Sequence, residues 1–315
     1  EKGLINIPDE TIKTIAKALD FPIQFFHQNL DIRINPIYYR KRASIPKKEL
    51  YKSEALRKIL LKNIDRLLES VDIPDFTLPP FEVTKNFTPE DAAQRIRYIM
   101  DIPSGPITKP IHYLERNGII VQFADLGSEK FDGITQFTEK QQPIIFVNKK
   151  HSNDRKRFTL GHELGHLVLH LMNKETLEKD DKEIESEANR FSAEFNIPEL
   201  ECKTDLRNLK YKDLGHLKQY WKMSKQAIAY RAKELRTISH KTYEYYMIEL
   251  SRSGERKKEI GDVPIDTPRL FNDVINMHRE KLGYSIQDMI NILNLSMIDY
   301  KRYFESSNHL RIVYD

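Results

Sequence analysis

The chain is poor in several things at once. It has one cysteine, Cys202, and 11 glycines among 315 residues, and no apolar run approaches the length of a membrane span. A single cysteine excludes a disulfide framework and any cysteine-rich zinc site, and it fits a reducing compartment. Cys202 sits in a stretch that mixes acids and bases, with no histidine at a nucleophile-like spacing, and reads as an incidental loop residue. Without some 18 consecutive apolar residues there is no candidate membrane helix, and no signal-peptide pattern is present. The expected location is the cytoplasm, with no membrane among the partners. Scarce glycine and recurrent Lys/Glu/Leu/Ile stretches predict that helix dominates. Methionine is also missing from the start: the chain begins at Glu1 and reads as if it began inside a folding unit.

Charge is what the chain has in excess. Charged residues make up 31%, against about 25% in an ordinary soluble domain. That suggests extra surface, as in several modest modules, and the length corresponds to roughly two domains. The net charge of +4 is unevenly spread: from Arg33 to Arg66 there are eleven basic residues and three acids, a local +8, which leaves −4 for the rest. Part of this stretch, 49–71, is an amphipathic helix through Leu56, Ile59, Leu60, Ile64, Leu67 and Val71. It reads either as the solvated basic face of a packed helix or as a connector that touches phosphate or pairs with a second copy. The proline-bearing run 73–80 is the best linker. Before it, Pro8-Asp9-Glu10 starts a helix whose Ile12, Ile15, Ala16 and Leu19 share a face, and Phe21-Pro22 stops it. One such helix cannot bury its stripe alone.

From Thr88 the pattern turns globular. Thr88-Pro89-Glu90-Asp91 caps a helix through Ala92, Ile96 and Ile99, and a second helix at 111–116 ends at Asn117-Gly118. Three strand-like runs follow, at 119–124, 133–137 and 143–147, with Gly127 and Asp132-Gly133 as turns. The expected fold class is α+β and helix-rich, with a small three-stranded sheet packed on the helix that follows it and all-α modules on either side.

That helix carries Thr159-Leu160-Gly161-His162-Glu163-Leu164-Gly165-His166. Four residues advance a helix by about 400°, so His162 and His166 project from nearly one face, one turn apart. Two imidazoles at that spacing can share a tetrahedral zinc, and Glu163 between them can take a proton from a water on that metal. The helix is apolar nearly all round through Leu160, Leu164, Leu167, Val168, Leu169 and Leu171, and is therefore buried. Buried histidines and a carboxylate need partners, which a metal supplies. His170 continues the four-residue series, but His162 to His170 spans about 12 Å of rise, too far for one ion. His170 reads as a residue behind the ligands or a core histidine.

A third ligand is expected from the acidic stretch 175–187. The stripe Ile184, Ala188, Phe191, Phe195 defines the buried face of the next helix. Glu187 lies about 60° from Ile184 and flanks that stripe, Glu183 about 100° away, and Glu185 on the other side. The wheel favours Glu187, with Glu183 as the alternative. A further expectation concerns strand 143–147: Pro143 is tolerated mainly at strand starts or sheet edges, so this strand reads as a free edge that binds an extended peptide beside the metal, the alternatives being an interior strand or an edge covered by the chain between Lys149 and Arg157.

The motif His162-Glu163-Leu164-Gly165-His166, preceded by Arg157-Phe158-Thr159-Leu160, resembles the ImmA/IrrE family of zinc metallopeptidases. So does Glu185-Ser186-Glu187-Ala188-Asn189-Arg190-Phe191-Ser192-Ala193, with Ser192 and Asn196-Ile197 departing from the family's small and apolar residues. The resemblance extends over about 105–240, including the segment around Trp221. It implies that the Glu directly before Ala, Glu187, is the third zinc ligand. Residues Glu1-Lys2-Gly3 and 12–22 resemble the last helices of a Cro/Xre-type helix-turn-helix domain, which implies a DNA-binding unit whose base-reading helix precedes Glu1. Two later segments share the helix-turn-helix look: 213–235, favoured as peptidase core, and 286–304, favoured as an interaction or sensor module over DNA binding.

The expected organisation is therefore a helix-turn-helix remnant at 1–30, a basic connector at 31–80, a zinc peptidase domain at 81–240 and a C-terminal helical module at 241–315. The expected function is a regulatory zinc endopeptidase, with one zinc per chain on His162, His166 and Glu187, and Glu163 as the catalytic base. Its substrate would be a protein such as a repressor or antitoxin, with DNA bound through the N-terminal unit and a homodimer possible. The alternative is a transcriptional regulator or antitoxin whose zinc domain senses or binds without cutting.

Overall fold

A computed structural model describes residues 7–28, 47–125, 131–173 and 179–304. The expected Glu1-Lys2-Gly3 match, most of the basic stretch before residue 47, the Gly127 turn and the start of the acidic stretch near Glu175 lie outside the described residues. Among those described there are thirteen α-helices and one three-stranded sheet, an α+β architecture rich in helix. No described helix is long and apolar enough to cross a membrane.

Strands β1 (Ile120–Ala124), β2 (Gly133–Phe137) and β3 (Pro143–Asn148) form a mixed sheet in the order β1-β3-β2. β3 runs parallel to β1, with Ile120 opposite Ile144, and antiparallel to β2, with Thr135 opposite Ile145. The reading of β3 as a free edge is therefore wrong: it is the central strand, and all six of its residues are buried. Pro143 misled because proline is also tolerated as the first residue of an interior strand. The run Ile144-Ile145-Phe146-Val147 is the mark of a strand buried on both faces.

Successive β3 side chains feed two cores. Ile144 and Phe146 join Ile120 and Ile134 on one face, against Leu60, Leu61, Ile64 and Leu67 of α2 (Lys47–Leu67). The same core takes residues of α11 (Leu270–Asn276), α12 (Ile286–Leu293) and α13 (Met297–Tyr303). Ile145 and Val147 join Val121 on the other face, against α3 (Pro89–Ile99), α4 (Pro110–Arg116), α5 (Asn153–Gly165) and α6 (Asp181–Asn196). A third core, centred on Trp221, unites α7 (Glu199–Leu206), α8 (Leu214–Trp221), α9 (Lys225–Glu234) and α10 (His240–Arg252). Cys202 is a fully buried member of α7, not a loop residue, and burial pushes its thiol up to about 12, so it stays protonated. In α1 (Asp9–Leu19), by contrast, only Ala16 is buried, and Ile15 and Leu19 of the same face are exposed.

Local signals set the helix ends as their chemistry requires. Thr88 and Asp91 form a reciprocal capping box on α3. Ser224, Ser285 and Ser296 each accept a backbone N–H at the starts of α9, α12 and α13. After α4 the chain reverses at Gly118, whose φ is +75°. A Cβ there would lie 2.5 Å from the Asp75 carbonyl carbon and the Phe76 nitrogen. Gly118→Ala is expected to destabilise the fold by at least about 1–2 kcal/mol, the cost of the left-handed conformation alone. An unchanged urea midpoint would contradict this.

Glu115, buried at the end of α4, accepts hydrogen bonds from the backbone N–H groups of Arg269 and Leu270 at the start of α11. Burial pushes its carboxyl up to about 7 against those bonds, with Asp266 and Asp273 adding to the rise. The folded state thus holds a proton that the unfolded chain releases near 4.5. Stability from this group is present below pH 4.5 and is lost as pH rises to about 7. Glu115→Gln should remove that slope, on the order of 3 kcal/mol across the window. Denaturant titrations at pH 4.5 and 8 on both proteins check it, and parallel pH dependences would count against the assignment.

Candidate metal centre

The site lies where α5 crosses α6, the most extensive helix pair of the described residues. Small residues bring the two helices close. A Cβ at Gly161 would fall 2.7 Å from Asn196 Nδ2 and 2.8 Å from Ser192 Oγ, and one at Gly165 would fall 3.0 Å from the Phe191 ring. Each motif histidine thus follows a glycine because the residue before it faces the partner helix at contact distance. Ser192 donates to the Phe158 carbonyl of α5 at 2.8 Å, and Asn196 bonds back to Ser192. Ser192 and Asn196 thus become part of the helix contact. Arg157, fully buried, holds the α5 frame by donating to the backbone carbonyls of Ile107 and Pro264. Burial lowers its guanidinium to about 10. Lys218 does the same from α8, bonding Asp154 at 2.8 Å and Glu259 at 2.9 Å.

Within this frame the Nε2 atoms of His162 and His166 point at one another across 3.0 Å. Glu185 of α6 completes the cluster, with Oε1 3.3 Å from His166 Nε2 and Oε2 3.6 Å from His162 Nε2. One donor atom from each of the three lies within 4.8 Å of the others. Asn189, one turn after Glu185, presents Oδ1 to His162 Nδ1 at 3.0 Å. An amide oxygen only accepts, so His162 carries its proton on Nδ1 and turns the Nε2 lone pair towards the cluster. The set fits zinc. Bonds of about 2.0–2.1 Å at a tetrahedral angle separate neighbouring donors by about 3.3 Å, and two imidazoles with a carboxylate are ordinary zinc donors.

This geometry brings Glu185, not the expected Glu187, to the histidine pair. Glu187 is buried, as the helical wheel implied, but its carboxylate meets other partners. Its Oε2 accepts from His170 Nε2 at 2.9 Å and its Oε1 from Lys179 Nζ at 2.6 Å. Burial alone would raise the Glu187 carboxyl; these two hydrogen bonds outweigh it and hold the group below the usual Glu range. Glu183, the alternative, is exposed in the first turn of α6. The wheel sought the most buried carboxylate, whereas Glu185, a third exposed, lines an open cleft. The missed signal was spacing: Glu185 and Asn189 repeat on α6 the one-turn interval that His162 and His166 have on α5.

Glu163 is buried beside the cluster and accepts from Thr135 Oγ1 of β2 at 2.9 Å. Gly133 makes this approach possible: it opens β2 rather than forming a turn, and a Cβ there would meet Thr159 at 2.5 Å and Glu163 at 3.1 Å. The cleft encloses about 2060 Å³, and its floor includes His162, Glu163 and Glu185. Its far wall comes from α9 and the 255–262 segment.

Residues 114–233 match the Peptidase_M78 family, the IrrE N-terminal-like domain. The IrrE-like match runs from the end of α4 into α9, and so contains the sheet, both site helices and Trp221, but not α10. Its peptidases are typically zinc-dependent, in keeping with the His162–His166–Glu185 cluster. No curated protein matches the chain.

Proposed function

We propose that the chain is a zinc-dependent endopeptidase that cleaves a regulatory protein, such as a repressor or antitoxin, and that its N-terminal helices belong to a DNA-binding helix-turn-helix unit. The observation that carries the enzymatic part is the convergence of two imidazole lone pairs and the Glu185 carboxylate beside a buried Glu163, at the floor of a cleft in a peptidase-family domain. His162, His166 and Glu185 would hold the zinc. When bound, zinc supplies a Lewis acid that polarises a substrate carbonyl and acidifies water at neutral pH. Glu163 accepts a proton from the attacking water and passes it to the leaving amine. Thr135 donates its hydroxyl to Glu163 Oε2, which orients the carboxylate. A purely structural zinc site has no use for such a carboxylate.

The cleft, about 2060 Å³ in volume and lined by His162, Glu163 and Glu185, leaves room for a substrate segment beside Glu163. The direct test is incubation of the zinc-loaded chain with a candidate repressor, with and without chelator, followed by mass spectrometry of the products. Discrete, chelator-sensitive fragments are expected. A stable complex without fragments would favour the rival reading, a regulator that binds without proteolysis.

A further inference from the structure

Glu187 is buried, charged and bonded to a buried histidine, although no ligand or catalytic role uses it. Its place follows from an irregularity of the helix. After Gly165, α5 continues as a wider, π-type turn over His166–Leu171. Such turns are rare and concentrate at functional sites. Here the turn brings His170 against His166, their Nδ1 atoms 3.0 Å apart. From there contacts run on: His170 Nε2 to Glu187 Oε2 at 2.9 Å, and Glu187 Oε1 to Lys179 Nζ at 2.6 Å. His166, His170 and Glu187 are all at least nine-tenths buried.

Two facing ring nitrogens bond only if one carries a proton and the other a lone pair. A metal on His166 Nε2 occupies that lone pair, so the His166 proton sits on Nδ1 and is donated to His170 Nδ1. His170 must then be protonated on Nε2, where the Glu187 carboxylate accepts. We propose that Glu187 and His170 form a one-way hydrogen-bond relay that fixes the tautomer and ring plane of His166 for the metal. Both are positioning residues that touch neither metal nor substrate. The inference rests on the zinc reading above. It gives the two zinc histidines separate supports, Asn189 behind His162 and the relay behind His166. Partners behind metal-bound histidines orient them and raise their basicity, and their loss costs about 10–100-fold in metal affinity.

The test measures zinc affinity by chelator competition for the wild-type chain, His170→Phe, Glu187→Ala and Glu185→Ala, with thermal unfolding of each metal-free protein as a check on folding. Both relay variants are expected to bind zinc about 10–100-fold more weakly, while Glu185→Ala loses it. In the ¹⁵N-histidine-labelled, zinc-loaded wild type, the expected NMR signature is Nδ1–H on His166 and Nε2–H on His170. This last readout needs no variant, and a merely structural contact would not impose it. Unchanged affinity in a folded relay variant would overturn the proposal, as would the opposite His170 tautomer or an imidazolium. So would loss of zinc from Glu187→Ala as complete as from Glu185→Ala, since Glu187 would then be a ligand. A wild type that takes up no zinc would bring down the zinc reading itself; zinc uptake with unaffected relay variants would overturn the relay alone.

Discussion

Glu185→Ala is expected to empty the metal site. The wild-type chain should purify with about one zinc, as a single three-ligand cluster predicts. Removing the Glu185 carboxylate leaves His162 and His166 alone, two ligands where protein zinc sites use three or four. Glu183→Ala should retain full zinc, because that side chain is exposed and outside the cluster. Glu187→Ala should retain zinc at saturating metal, with weaker affinity, because its oxygens reach His170 and Lys179 rather than the histidine pair. Elemental analysis of the four purified proteins decides the matter. Zinc kept by Glu185→Ala and lost by Glu187→Ala would restore the assignment from the helical wheel.

Glu163→Gln separates holding the metal from using it. The substitution preserves the shape of the side chain, and the amide oxygen can still accept from Thr135 Oγ1. Fold and zinc content should therefore match the wild type. What disappears is the proton acceptor, and a removed general base costs about 10²–10⁴-fold in rate. Cleavage of a genuine substrate, followed by single-turnover kinetics, should fall by about 10²-fold or more. Undiminished cleavage by a zinc-loaded Glu163→Gln protein would reject the role of Glu163.

The two outcomes together locate any error. Lost zinc in Glu163→Gln would mean that Glu163 supports the cluster rather than the chemistry. Retained zinc with lost cleavage would match the arrangement of a buried carboxylate held by Thr135 beside, but not in, the ligand set.

Much of this molecule was legible in one dimension, wherever the deciding interaction is local. The capping residues Thr88, Ser224, Ser285 and Ser296 each accept from the backbone N–H three residues ahead, so their effect is written in neighbouring positions. The three strands and the helix stop at Gly118 follow from short apolar runs bounded by turn residues and from a left-handed turn. His162, Glu163 and His166 were legible because helix geometry alone places them, one turn apart on one rigid element. The stripe Ile184, Ala188, Phe191, Phe195 correctly marked the buried face of α6.

What the sequence could not decide were questions about two elements at once. Whether β3 is an edge or the centre depends on which strands flank it, and its own residues, with Pro143 at the start, are compatible with either until β1 and β2 are placed. Glu185 and Glu187 are two residues apart on α6 and differ by which neighbour each one meets. Burial and the family resemblance both selected Glu187, which instead meets His170. Which carboxylate meets the histidine pair depends on the α5–α6 crossing, set by Gly161 and Gly165 against Ser192 and Phe191. That crossing turns the less buried face of α6, with Glu185 and Asn189, towards the paired histidines. A metal site is a point shared by several elements, so its first helix can be read from spacing, while its last ligand is decided by how the helices pack.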